Sequence, residues 1–316
     1  MDEHDQLLSG VRRRCAWRRG RAAGLAALAA GLWSAHARAA DGPALRDVPY
    51  LGAGAAGKLD LYEPAGSAGA HLRPAIVYIH GGGWVKGDKA GPRDRHVAAA
   101  LASGGYVVAS IDYALGDGVW PKNLSDCRNA VRFVRANAAR YRIDPNRIAV
   151  VGASAGAHLA LMVGFTDPAD LVSRTPPYPG VSCAVDAIVE LYGITDLLTR
   201  RKPEPDGTPD GPPDTLHAAQ MLGIDPREGA KLWRDASPVT HVRPGLPPVL
   251  IAHGLSDTIV DYPQAVELAN ALRACGVPHQ LVLIEGVGHM FDLDEWHGQP
   301  LPVPLRRIVL DFLGQR

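Results

Sequence analysis

The chain has no net charge to steer a partner: across 316 residues, 33 Lys and Arg balance 33 Asp and Glu. No long acidic or basic block disturbs that balance, so nothing points to nucleic acid. Cysteine is scarce. Of four, Cys15 lies in an N-terminal leader, and Cys127, Cys183 and Cys275 remain in the body. Three allow at most one disulfide, and the sequence does not choose the pair. Cys127 falls on an apolar helical stripe with Leu124, Val131 and Val134, which marks it as core. None has metal-ligand spacing. Internal repeats and heptads are absent too, and the Ala- and Leu-rich stretch from Ala22 to Trp33 is too short for stable membrane insertion.

That stretch has another reading. Arg12, Arg13, Arg14, Arg18, Arg19 and Arg21 precede it, and Ala37-Arg38-Ala39 follows. Basic, apolar, then A-x-A is the order of a signal peptide, here spanning residues 1–39 with cleavage near Ala39. The expected destination is the periplasm or the exterior. Arg18-Arg19 is compatible with a twin-arginine signal, although the residues after it match poorly, so the export route stays open. A basic leader of another kind or a misassigned start codon is the alternative. Cleavage would leave 26 basic against 30 acidic residues, a mildly acidic enzyme domain over 40–316.

The body alternates strand and helix. Strand patterns run over Leu59–Tyr62, Ala75–Ile79, Tyr106–Ile111, Ile148–Val151, Ala187–Leu191, Val249–His253 and Gln280–Ile284. Helical patterns run over Arg93–Ser103, Leu124–Ala138, Ala155–Thr166, Pro263–Cys275 and Pro304–Leu313. Continuous apolar strands alternating with helices predict an α/β fold with a mostly parallel sheet covered on both faces. With 47% hydrophobic residues, a chain of this length can bury one large core.

Chemistry-bearing residues follow the strand ends, where such folds place their sites. Arg147 to Val151 leads into Gly152-Ala153-Ser154-Ala155-Gly156 and then a helix. G-x-S-x-G between strand and helix is a nucleophile elbow, whose glycines make room for a tight, strained turn that exposes the serine Oγ. Ala75 to Ile79 leads into His80-Gly81-Gly82-Gly83-Trp84, an HGGG-type loop able to turn backbone N–H groups toward a developing alkoxide. Asp257 follows the strand ending at His253, and His289 follows the strand ending at Ile284. The chain order Ser154, Asp257, His289 is that of α/β-hydrolases and differs from chymotrypsin-like and subtilisin-like proteases. Asp261 is the second choice of acid. His253 is the rival base, read here as a support for the acid loop.

These motifs, with Ala157-His158 and Gly288-His289, resemble the hormone-sensitive-lipase-like carboxylesterases, and within them the bacterial acetyl and feruloyl esterase branch. The resemblance covers the chain from about Val48 to its end. It implies an α/β-hydrolase fold and oxyanion donors at the N–H groups of Gly82, Gly83 and Ala155. It implies a small-molecule ester or an acylated polysaccharide as substrate, and neither metal nor organic cofactor. Kynurenine formamidases and prenylcysteine methylesterases share the S-A-G-A-H run, but their oxyanion loops depart from three consecutive glycines. A formamidase or methylesterase activity is thus the alternative. A non-catalytic receptor on this fold is disfavoured, since Ser154, Asp257 and His289 are all present.

From about 199 to 243 the rhythm breaks into a Pro-, Gly- and Asp-rich stretch with short helices near Thr215–Leu222 and Arg227–Trp233. An insertion here is expected to form a small cap, with Met221, Leu222 and Trp233 as pocket walls. Trp84, Tyr113, Trp120 and Met290 are further substrate-binding candidates. Asp112 and Asp126 are expected to tie loops. Asp292, Asp294, Glu295 and His297 read as a solvated loop rather than a metal site. The sequence leaves the oligomeric state open.

Overall fold

The computed structural model describes residues 42–52, 54, 57–65, 71–166, 177–205, 207–209 and 211–315. The expected signal peptide at 1–39 lies outside them.

Eight strands form one sheet: β1 (Leu45–Val48), β2 (Leu59–Tyr62), β3 (Arg73–Ile79), β4 (Val107–Ile111), β5 (Ile143–Ala153), β6 (Ile188–Leu191), β7 (Val249–Gly254) and β8 (His279–Ile284). Their order is β1-β2-β4-β3-β5-β6-β7-β8. Only the β1–β2 and β2–β4 pairings are antiparallel; β3 with β4, and β3 through β5, β6 and β7 to β8, run parallel. All of β4, β6 and β7 is buried, which is why their apolar residues do not alternate with polar ones and only Ser110, Glu190 and His253 interrupt them.

The helices are α1 (Pro92–Ser103), α2 (Lys122–Ala136), α3 (Ala138–Tyr141), α4 (Ala155–Phe165), α5 (Leu216–Leu222), α6 (Ala230–Asp235), α7 (Pro263–Ala274) and α8 (Leu305–Gly314). They cover both faces. Val150 and Ile251 pack with Leu124 of α2, Leu159 of α4 and Leu268 of α7. Their strand neighbours Val151 and Leu250, one residue along and so on the opposite face, pack with Leu101 of α1 and Phe312 of α8. Helix α8 shows the rule plainly: Leu305, Val309, Phe312 and Leu313 are buried at helical spacing.

Strand β1 was not among the expected elements. Its sequence Leu-Arg-Asp-Val is short and mostly exposed, and carries no apolar pattern. It is held by backbone pairing to β2 and by an ionic knot: Lys89 Nζ lies 2.9 Å from Asp47, 3.3 Å from Asp112 and 3.6 Å from Asp60. Cys127 and Cys183 are buried free thiols.

The insertion between β6 and β7 carries α5, α6 and a 3₁₀ turn at Pro238–His241. It is stitched to the sheet domain at named points. Gly118 and Trp120 donate backbone N–H groups to the carbonyls of Gln220 and Met221 at 2.8 and 3.1 Å. His158 of α4, fully buried, lies with Nε2 2.7 Å from the Ala236 carbonyl oxygen. No helix among the described residues is long and apolar enough to cross a membrane.

Candidate active site

Strand β5 ends at Ala153 and α4 begins at Ala155, so Ser154 alone makes the turn. Its backbone stands at φ 54°, ψ −122°, a conformation that costs a non-glycine residue of order 1–3 kcal/mol. The surroundings fix it: Ser154 N–H donates to the Leu191 carbonyl at 2.9 Å, and its own carbonyl accepts from Ala157 and His158. The flanking glycines supply space rather than unusual dihedrals. A Cβ on Gly152 would stand 2.2 Å from the Gly156 oxygen, and one on Gly156 would stand 2.1 Å from the Ile79 oxygen.

The sequence-predicted Ser154, His289 and Asp257 come together across three strand ends. His289 Nε2 lies 3.0 Å from Ser154 Oγ, and His289 Nδ1 lies 2.6 Å from Asp257 Oδ2. The other Asp257 oxygen accepts backbone N–H groups from Ile259 and Val260 at 2.8 and 3.0 Å. A carboxylate can only accept, so the His289 proton sits on Nδ1 and Nε2 is left to accept from the serine hydroxyl. Burial alone would raise the Asp257 carboxyl. Hydrogen bonds from His253 and His289 outweigh it and hold the group well below the usual carboxylate range. Burial pushes the His289 imidazole below its ordinary value, against the opposing pull of Asp257.

Two residues outside the expected set position His289. The Tyr192 ring meets the imidazole edge-on at 4.7 Å, its hydroxyl anchored to the Phe291 carbonyl at 2.8 Å. Trp296 Nε1 donates to the His289 carbonyl at 2.8 Å. The available signal for Tyr192 was its place immediately after β6, where other site residues follow their strands. Trp296 gave none beyond lying in the loop after His289.

The glycine loop runs against the elbow: a Cβ on Gly81 would stand 3.1 Å from Ser154 Cβ. Gly82, Gly83 and Trp84 follow at φ 121°, 63° and 61°. Ala155 opens α4 at its positive end, where the N–H groups of Ala155 and Gly156 have no partner within the helix. His80 is fixed behind the loop, stacked on Tyr113 at 4.5 Å, while the Tyr113 hydroxyl donates to the His80 carbonyl at 3.0 Å.

The pocket candidates divide. Trp84, Tyr113, Met221 and Trp233 are buried in the core, and Leu222 almost so. Trp84 packs edge-on against His158 at 5.1 Å, and Trp233 Nε1 donates to the Ile224 carbonyl at 3.1 Å. In this structure their surfaces pack against the loop and the insertion. Trp120 is half-buried, 6.0 Å from His158, and Met290 beside His289 is 61% exposed. The insertion instead brings His217 of α5 to the site, a residue the sequence reading passed over. Its ring atoms lie from 3.1 Å of where a Gly83 Cβ would be.

Other expectations find their places. Asp261 holds the Arg201 backbone at 3.1 Å, on the insertion side, and makes no bond to His289. His253 supports the acid loop, its Nε2 lying 3.0 Å from the Val260 carbonyl oxygen and 3.3 Å from Asp257 Oδ2. Asp112 and Asp126 accept from the backbone N–H groups of Lys89 and Ala114. Of the acidic loop, Asp292 and Asp294 meet His96 within 4.8 Å, without Glu295 or His297. Arg306 pairs with Asp294, and Asp292 Oδ1 already takes the N–H groups of Asp294 and Glu295, so the donors are engaged within the protein.

Residues 59–272 match the family model described as BD-FAE. Esterase LipC of Mycobacterium tuberculosis is 34% identical over 227 residues, covering 70% of this chain and 53% of its own length. Isoprenylcysteine alpha-carbonyl methylesterase ICME of Arabidopsis thaliana is 29% identical over 250 residues, covering 73% and 53%. This chain therefore spans about half the length of both. Among solved structures, a truncated carbohydrate esterase from gut microbiota superposes with a TM-score of 0.71 at 27% identity, covering 87% of this chain and 98% of that one. The butyrate-bound esterase Est2 of Thermogutta terrifontis gives 0.67 at 26%, covering 87% and 93%. The chain has the α/β-hydrolase fold and belongs to the BD-FAE family.

Proposed function

We propose that this protein is a serine carboxylesterase acting on short-chain acyl or hydroxycinnamoyl esters, acetyl and feruloyl among them. The single observation that carries the reading is the hydrogen-bonded chain from Ser154 Oγ through His289 to Asp257. His289 takes the serine proton as Oγ attacks the ester carbonyl, and Asp257 holds the tautomer and stabilises the imidazolium. The N–H groups of Gly82, Gly83 and Ala155 receive the oxyanion, each such donor contributing about 3–4 kcal/mol in the transition state. His289 then protonates the leaving alcohol, and water enters the acyl-enzyme through the same base. Short acyl groups and sugar esters are supported by the butyrate-bound and carbohydrate-esterase neighbours. The insertion serves as a cap, and the leader serves export.

The test is the mature protein beside Ser154→Ala on p-nitrophenyl acetate to laurate, methyl ferulate, acetylated xylan and N-formylkynurenine. Turnover of short acyl or feruloyl esters, abolished in the variant, is the expected result. Equal background rates in both proteins would overturn it, and turnover confined to N-formylkynurenine would reassign the same triad to amide hydrolysis.

A further inference from the structure

Behind the acid of the triad lies a second histidine with a carboxyl group beside it. His253 and Glu190 are both fully buried. Glu190 of β6 stands opposite Ile251 of β7, and His253 is two residues further along β7. The two side chains therefore leave the sheet on the same face, as diagonal neighbours on adjacent strands. Each has one polar atom engaged. Glu190 Oε1 accepts the Gly193 N–H. His253 Nε2 faces two acceptors, the Val260 carbonyl at 3.0 Å and Asp257 Oδ2 at 3.3 Å. Each also has one atom left over: among the described residues, Glu190 Oε2 and His253 Nδ1 are buried without a hydrogen-bond partner.

The needs of these two atoms are complementary. Because Nε2 faces only acceptors, it carries a proton whatever the charge of the ring. Nδ1 is then an acceptor in the neutral ring and a donor in the cation. One proton satisfies both leftover atoms, as carboxylic acid facing bare nitrogen or as carboxylate facing imidazolium. Leaving either atom unpaired in the interior is costly, so a proton shared through one bridging water is the inexpensive arrangement.

We propose that Glu190 and His253, whose leftover atoms stand too far apart for a direct bond, share one proton through a single bridging water, and that this buried pair is a positioning element that sets how strongly Asp257 supports His289. The reading rests on Ser154, His289 and Asp257 working as a triad. His253 Nε2 lies 3.3 Å from Asp257 Oδ2, the same oxygen that His289 Nδ1 approaches to 2.6 Å. As His289 becomes an imidazolium, moving the shared proton from His253 Nδ1 to Glu190 Oε2 weakens the competing donor and frees that oxygen. No proton enters or leaves. Burial raises Glu190 to about 7, and in His253 burial is outweighed by the bond to Asp257 and the field of Glu190, which raise the imidazole. The other charged groups acting on this network are Asp261 on His253, Arg200 on Asp257 and Arg93 on His289.

The test compares the pH dependence of kcat/KM on p-nitrophenyl acetate for wild type, Glu190→Gln, His253→Gln and the double variant. Gln at 253 keeps a neutral donor toward Asp257, and Gln at 190 fixes His253 as neutral. Each single variant is expected to raise the acid-limb midpoint by about half a pH unit or more, with no further rise in the double variant. Unmoved midpoints, or shifts that add, overturn the proposal. Titration of Ser154 with a fluorophosphonate counts folded sites in every sample. A second measurement needs no variant: the ¹⁵N shift of His253 Nδ1 in the wild-type protein. A hydrogen-bonded or protonated value below pH 7 supports the shared proton, and a free, bare nitrogen overturns it. Because that reading requires no turnover, it stays separable from failure of the esterase assignment.

Discussion

His289 Nδ1 lies 2.6 Å from Asp257 Oδ2, and the carboxylate that receives it has its other oxygen tied down by two backbone N–H groups. The acid is thereby fixed in place before the imidazole is oriented. Replacing Asp257 by Asn puts an amide on that spot and lets His289 adopt the wrong tautomer. We expect a fall in kcat of about 10⁴-fold with the fold intact, the size such a change produces in other serine triads. Steady-state rates beside a thermal melt check this. A loss of tenfold or less would mean that another group, such as Asp261, serves as the acid.

The same geometry fixes the pH response. His289 must be neutral to accept the serine proton, so activity falls as pH drops through its pKa. Burial holds that pKa below the ordinary imidazole value, and Asp257 stays ionised far below it. The acid limb of kcat/KM is therefore expected below about pH 6.5, with a single proton taken up. A midpoint above 7 in the wild-type enzyme would contradict the burial of the base.

At the elbow, Gly156 is the position with least room. A methyl group there meets the Ile79 and His80 carbonyl oxygens at 2.1 and 2.4 Å, backbone atoms at the end of β3 and the start of the glycine loop. Gly156→Ala should lower stability by about 3 kcal/mol and abolish turnover, because the clash pushes the loop from Ser154. A denaturation midpoint together with fluorophosphonate titration measures both effects. An unchanged midpoint would show that the strand yields more easily than its packing implies.

Much of this was legible in the sequence, and the physical reason is clear from Gly152, Ser154 and Gly156. A strained turn squeezed between a buried strand and a helix leaves few residue types, so spacing alone exposes it. Buried parallel strands are equally readable, because two covered faces force continuous apolar runs. What stayed hidden depended on contacts between distant segments. Strand β1 has no pattern of its own and is fixed by pairing to β2 and by Lys89. His217 reaches Gly83 only through the path of the insertion, and Tyr192 reaches His289 across two strand ends. For Trp84, Met221 and Trp233 the sequence alone does not separate a pocket from the core, because large apolar residues near a site look alike whichever they face; all three are buried.

His158 links the elbow helix to the insertion, and its titration gives stability a direction. The ring is fully buried and bonded through Nε2 to the Ala236 carbonyl, and burial lowers its pKa to about 4. Between that value and the unfolded value near 6.5, the unfolded chain binds a proton that the folded chain does not. Stability is therefore full above the unfolded pKa and declines as pH falls toward 4. The loss from this one group is about 3 kcal/mol at the bottom of that window. His158→Gln keeps a donor for Ala236 but cannot titrate. Urea denaturation at closely spaced pH values should show a shallower acid decline in the variant than in wild type. Parallel curves for the two proteins would mean that other buried groups carry the acid sensitivity.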